Sequence, residues 1–324
     1  LAPVSTAQSA APATLERYVP SLDLLDFVQR RESMLENDQV EPANRCEGEK
    51  TMKNEKLDHL LNASGFPFQL AIEEAVRKSG LSETWKVTGR EHPWRLGDSE
   101  GYIDLVLSRG NTHLVLECKR SRDAVWLFLM PDEGQMERSH ARVCWTDTKP
   151  HRRSLHGWGD TQVYPRSPET EFCVVRGQGE KGTPLLERLA AGLVRATDAL
   201  ANQYLEIGLG SRTTHRLIPV IVTSASLVVS RFSPGGVSLQ TGEPTEAEHE
   251  EVPHLRFRKS LSGPESPFEF EPERLEDLAY GSIRTVFVVQ ATGLVDWLRS
   301  HQTSGSDRTS PWVSAREAEE AFTG

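Results

Sequence analysis

The sequence predicts an α/β domain with a mixed β-sheet flanked by helices, and three observations carry that prediction. Apolar, β-branched runs alternate with helical patterns in the order helix, strand, hairpin, helix, strand. The clearest helical pattern, 184–205, lies between strand-like segments, so it reads as a crossover packed on a sheet. A Gly-Asn dipeptide at 110–111 separates two apolar-rich runs, 102–107 and 114–116, and marks an antiparallel hairpin inside that order.

Taken along the chain, residues 1–14 are rich in Ala, Ser, Thr and Pro and read as a disordered lead-in. Ser21 is a candidate N-cap for a first helix over 21–35, and the polar stretch 36–56 reads as a loop or linker. A helix entered from Asn62 carries an apolar stripe at Phe68, Ile72, Ala75 and Val76 and ends at Gly80. Residues 83–89 form a first strand, and a turn-rich segment at 95–100 leads into the hairpin. The run 124–130 is a buried strand closed by the Pro131-Asp132-Glu133-Gly134 turn. An insertion of about 131–170 separates the hairpin from the crossover helix. It mixes Arg138, His140, Arg142, Lys149, His151, Arg152, Arg153 and His156 with Trp145 and Trp158. Such a mixture suits phosphate contacts and base stacking, or simply a polar surface insertion. The histidines with Cys144 and Cys173 match no strong zinc template. Strands follow at 172–175, 217–222, 227–232, 254–258 and 284–290, with Pro219 favouring an edge position for its strand. A short helix at 293–300 and a last helical pattern at 313–322 complete the reading. The implied organisation is a lead-in with a helix at 1–56, a main domain at 57–302 and a polar tail at 303–324.

The chain has 324 residues and a formal net charge of −10, which argues against a broad basic coat for nucleic acid but leaves room for a local cationic groove. The glutamates at 243, 246, 248, 250 and 251 read as a solvated loop. The four cysteines show no C-x-x-C pair and no disulfide spacing, so free thiols in a cytoplasmic protein are expected. No run suits a membrane span, and the first residues lack the pattern of a secretory signal.

Chemistry concentrates in the hairpin. With Gly110 and Asn111 as the two loop residues, Arg109 faces Thr112, and every paired step keeps the residue numbers summing to the same value. Asp104 then lies opposite Glu117, and Lys119 shares the face because strand side chains alternate. Two carboxylates at about 5 Å with an effective dielectric of about 20 repel by roughly 3 kcal/mol. A divalent cation, a shared proton or Lys119 must offset this. Hard cations such as Mg²⁺ take one or two carboxylates together with water and a substrate phosphate.

Asp104, followed after twelve residues by Glu117-Cys118-Lys119 and preceded by the apolar Ile103 and Leu114-Val115-Leu116, resembles the PD-(D/E)xK nuclease superfamily. The resemblance covers roughly residues 60–125, and Ile103 stands where many members have Pro. It implies a restriction-endonuclease-like core and a Mg²⁺-dependent phosphodiesterase, with Mn²⁺ as substitute metal. Asp104 and Glu117 would hold the metal, helped by the backbone carbonyl of Cys118. Lys119 would orient the attacking water. The family often draws a further acid from the preceding helix after a Gly-x-x-Phe element. Gly65 and Phe68 match that element, but Gln69 follows where an acid is expected. Glu73, one turn on, could substitute, with Glu74 next; either could equally face solvent. Gln203 resembles a glutamine that some members carry after the lysine. Implied partners are nucleic acid, DNA rather than RNA, and either a second copy or an ATPase; the implied setting is bacterial restriction or anti-phage defence. The other class open to the sequence is a non-catalytic nucleic-acid-binding or assembly subunit with the same fold.

Overall fold

Strands apolar on both faces belong at the centre of a sheet covered on both sides, and two runs of this chain have that character. The computed structural model describes residues 46–121, 124–131, 138–148, 155–175, 184–207, 213–261, 279 and 281–303. The chain divides into two compact units, Leu1–Leu57 and Asp58–Gly324. In chain order the helices are α1 (Cys46–Ala63), α2 (Phe66–Lys78), α3 (Leu185–Ile207) and α4 (Leu294–Ser300). The strands are β1 (Lys86–Leu96), β2 (Ser99–Arg109), β3 (Thr112–Lys119), β4 (Val125–Met130), β5 (Arg138–Thr148), β6 (Leu155–Ser167) and β7 (Glu169–Thr170). They continue with β8 (Phe172–Val175), β9 (Thr213–Thr223), β10 (Ser226–Arg231), β11 (Glu248–Glu251), β12 (His254–Ser260), β13 (Ile283–Gln290) and β14 (Gln302–Thr303).

The main sheet runs β1-β2-β3-β9-β13-β12-β7 and is mixed: β3, β9 and β13 are mutually parallel, while β1, β2 and β3 form an antiparallel meander. Side chains alternate between two buried layers. Val115, Leu217 and Ile221 face α3, whose Leu186, Ala190, Leu193 and Val194 cover them. Leu114, Leu116, Ile218, Val220 and Val222 face the opposite layer, with Ile72 and Val76 of α2 and Leu294, Trp297 and Leu298 of α4. The expected mixed sheet flanked by helices is present, with α3 as the crossover between the β3 side and β9.

Several elements differ from the sequence expectation. The insertion is a long antiparallel ribbon, β5-β6, and β5 adds to the main sheet by pairing with β9 over Thr213–Leu217. Strand β9 is central, although it contains Pro219. That position falls where β5 pairing ends at Leu217 and before β13 pairing starts at Val220, so the missing N–H coincides with a gap between partners. Part of the expected loop at 36–56 is helix α1. Residues Glu248–Glu251 form an exposed edge strand instead of a loop, in a second sheet ordered β11-β10-β4-β8. The expected helices at 21–35 and 313–322 lie outside the described residues. No described helix is long and apolar enough to cross a membrane.

Candidate active site

The β2-β3 hairpin has the register that its turn requires, from Arg109 opposite Thr112 to Leu105 opposite Leu116, with Gly110 at φ 55°. The ladder stops there, one step short of Asp104 and Glu117. The Asp104 carboxylate takes over: its Oδ2 accepts the Cys118 backbone N–H at 2.6 Å. On its other side β3 stays paired with β9 as far as Lys119 opposite Thr223, so Glu117, Cys118 and Lys119 are fixed in the sheet. Gln69, buried in the first turns of α2, donates from Nε2 to the Asp104 carbonyl at 2.8 Å. Helix α2 starts at that height because Gly65 takes φ 75°, a conformation that side chains resist, and Pro67 suits a first helical turn.

Asp104, Glu117, Cys118 and Lys119 line one cleft of about 480 Å³, walled by Gln69 and by residues 62–66. Burial pushes the Glu117 carboxyl up to about 7, and Asp104 pushes it further in the same direction while Lys119 opposes. Burial also raises Asp104, against the pull of the Cys118 N–H. The Cys118 thiol is raised strongly by burial and then by the two acids, so it is an inert neighbour instead of a nucleophile.

A third acid enters from β1. Arg90 pairs with Leu105 and His92 with Ile103, so Glu91 stands opposite Asp104, at a backbone φ of 42°. Glu91 lines the same cleft, and its charge raises both Asp104 and Glu117. Its Oε1 is buried and has no hydrogen-bond partner. A signal for it exists in the sequence. Gly97-Asp98 is a two-residue hairpin loop between Leu96 and Ser99, and the summing rule applied to the main hairpin puts Glu91 across from Asp104. Ending the first strand at 89 hides this.

The expected contribution of α2 takes a different form. Both carboxylate oxygens of Glu73 accept from Arg90, and Glu73 is not among the cleft residues. Glu74 is held by Arg77 and Lys78; the Arg77 hydrogen bond brings its carboxyl down to about 2. Gln69 serves the site through the backbone of Asp104. Gln203 is not among the cleft residues; it is bonded to His92 at 2.6 Å and to the Pro93 carbonyl.

Several basic and aromatic residues of the insertion are committed to partners within the protein. Asp160 receives Arg142 at 3.3 Å and Arg258 at 3.2 Å. Trp158 donates from Nε1 to Asp198 at 2.8 Å and carries Arg284 over its ring, while Trp145 is buried. Lys149, His151, Arg152 and Arg153 lie outside the described residues. Among the described residues no group of three or more His, Cys, Asp and Glu side chains is assembled to hold a metal unaided.

No protein-family model, curated protein or solved structure matches the chain. What the cleft can do therefore rests on its own chemistry. Two half-buried carboxylates, both with raised affinity for a proton, adjoin a lysine, and a third carboxylate has an oxygen without a hydrogen-bond partner. Carboxylate oxygens are the donors that hard divalent cations prefer, together with water and phosphate oxygens.

Proposed function

We propose that this protein is a Mg²⁺-dependent nuclease with a restriction-endonuclease-like core, hydrolysing phosphodiester bonds in nucleic acid, DNA before RNA. The observation that supports this most is the meeting of half-buried Asp104 and Glu117 with Lys119 in one open cleft, at the end of the hairpin. Folding alone gains nothing from placing like charges there; burial first, and the Asp104 charge after it, raise Glu117 to about 7. Asp104 and Glu117 would hold the metal, with the Cys118 carbonyl; Glu91, with its unpartnered oxygen, would have to move toward them to join as a third acid. A bound Mg²⁺, or Mn²⁺ in its place, acidifies water and neutralises charge on a phosphate. The Lys119 ammonium donates hydrogen bonds to the water or to the phosphoryl oxygens. Gln69 and the Cys118 N–H fix Asp104 from both sides, which keeps the carboxylate aimed without relying on its own rotamer.

One observation favours a second reading, a non-catalytic nucleic-acid-binding subunit: α2 offers Gln69 where a catalytic acid is expected. A digestion panel with Mg²⁺ separates the two, using linear, circular and single-stranded DNA and RNA. Lys119→Ala and Asp104→Asn should each lower cleavage by about a hundredfold or more, since the metal and its partners supply several kcal/mol of transition-state stabilisation. Circular dichroism should show both folded. Full activity in either folded variant refutes the nuclease assignment, and absence of Mg²⁺ binding heat in the wild type favours the subunit.

A further inference from the structure

Among the described residues Trp85, Trp126, Phe128, Phe257 and Phe287 are buried aromatic side chains. Of the three exposed rings among them, Phe172 (45%) sits on β8 of the second sheet, and the other two are Phe66 (55%) and Tyr102 (64%). Both belong to the acidic cleft or its border. Phe66 is one of the residues lining it, and Tyr102 precedes Asp104 by two residues on β2, about 7 Å along a strand.

Each ring is mounted on a fixed backbone. Phe66 is the first residue of α2, held between the left-handed Gly65 and Pro67, and the Gly65 carbonyl accepts from Phe68 and Gln69. Tyr102 sits on the outer half of the β1-β2 ribbon, beyond the last β2-β3 pair at Leu105. That ribbon is tied to α3 by His92 and Gln203, and Gln203 also bonds the Pro93 carbonyl. Gly101 lets the ribbon lie directly on Trp94, since a Cβ there would fall 3.1 Å from the indole Nε1. Pro93 is the exposed cross-strand neighbour of Tyr102, so the two rings share one outward surface.

The cations near the cleft argue in the same direction. Lys119 and Arg120 line it, but Arg90 is engaged by Glu73 and Arg95 by Glu100. Binding of duplex DNA draws most of its affinity from many phosphate contacts. Among the described residues two Lys or Arg cations, Lys119 and Arg120, line the cleft, while flat apolar rings are presented at a cleft of small-molecule size. Rings of this kind stack on base faces, which paired bases keep covered and an unpaired strand exposes.

We infer that the cleft takes an unpaired strand of nucleic acid, with Phe66 and Tyr102 as stacking surfaces that seat the nucleotides flanking the reacting phosphate. The inference rests on the nuclease reading for what happens to that phosphate, and its test reads binding separately from cleavage. The probe is a single-stranded DNA oligonucleotide containing 2-aminopurine, whose fluorescence is quenched by stacking, titrated with the full chain in Mg²⁺; the same sequence as a duplex is the competitor. Wild type should quench the probe and prefer it to the duplex. Phe66→Ala and Tyr102→Ala should each weaken binding about five- to a hundredfold, the range of single base–aromatic stacks, with Phe66→Trp and Tyr102→Trp restoring it. Equal or tighter duplex binding overturns the inference, as does binding by both alanine variants within about twofold of wild type, well short of a lost stack. Failure of the nuclease reading has a different signature, namely no Mg²⁺-dependent cleavage of any substrate, and leaves the quenching readout intact.

Discussion

The two ends of strand β3 hold buried ionisable groups in opposite conditions. At its start, His113 is 4% exposed and every ring nitrogen is used. Its Nδ1 lies 2.7 Å from the Ser108 hydroxyl and 3.0 Å from that of Tyr204, and its Nε2 lies 2.8 Å from His215 Nδ1. The tautomer of each imidazole decides which partner donates in this network. Tyr204 stacks on both imidazoles, and burial brings His113 down to about 3, so the cluster is neutral. At the far end, burial raises both Asp104 and Glu117, and Glu91 keeps an oxygen without a partner. A buried polar cluster that satisfies itself stabilises the fold, whereas one left unsatisfied costs stability and marks the place where something else binds.

The comparison breaks most sharply at Glu91. If its open oxygen belongs to the metal cluster, Glu91→Gln removes charge from that cluster while nearly preserving shape. Titration calorimetry should then show Mg²⁺ affinity about 10- to 100-fold weaker, the usual cost of losing a residue that supports a metal site. Unchanged affinity would reduce Glu91 to a bystander and the site to two acids.

The two ends should also titrate with opposite signs. Glu117 is raised in the folded protein from 4.5 to about 7, so its share of stability is fully present below pH 4.5 and lost as pH rises through 7. His113 is lowered from 6.5 to about 3, so its share is present above pH 6.5 and lost as pH falls through 3. Urea melts in chelator measure this as differences from wild type. The stability of Glu117→Gln relative to wild type should rise with pH from 4.5 to 7, and that of His113→Gln should rise as pH falls from 6.5 toward 3. Each slope should approach about 1.4 kcal/mol per pH unit. Differences of the same sign would mean the two clusters are not distinct in kind.

Local signals carried well from sequence to structure. Gly110-Asn111 determines the register that brings Asp104 beside Glu117-Cys118-Lys119, and the stripe of α3 marks a helix packed on the sheet. Pairings between distant segments did not carry. The basic insertion has the composition of a surface, yet its Arg142 is matched by Asp160 of the same ribbon, and its partner strand β9 lies about 70 residues on. Pro219 argues for an edge only when both neighbours run the full length of the strand, and here one neighbour changes at that point. Glu91 was within reach of turn arithmetic, but only once β1 is extended through His92-Pro93-Trp94, whose proline discourages a strand assignment.

Glu73 provides the smallest effect and the sharpest control. Spacing from Gly65 and Phe68 makes it the natural stand-in for the acid that Gln69 replaces, but both its oxygens are taken by Arg90, whose side chain is 62% exposed. Glu73→Gln should leave Mg²⁺ affinity and cleavage unchanged, because the charge it removes already has a partner outside the cleft. Gln69→Ala, by contrast, frees the Asp104 carbonyl and should lower cleavage severalfold through loss of one hydrogen bond of ordinary strength, about 1 kcal/mol. If Glu73→Gln instead abolishes metal binding, α2 does supply an acid when the metal is bound, Arg90 must let go of it, and the open oxygen of Glu91 no longer identifies the third member of the cluster.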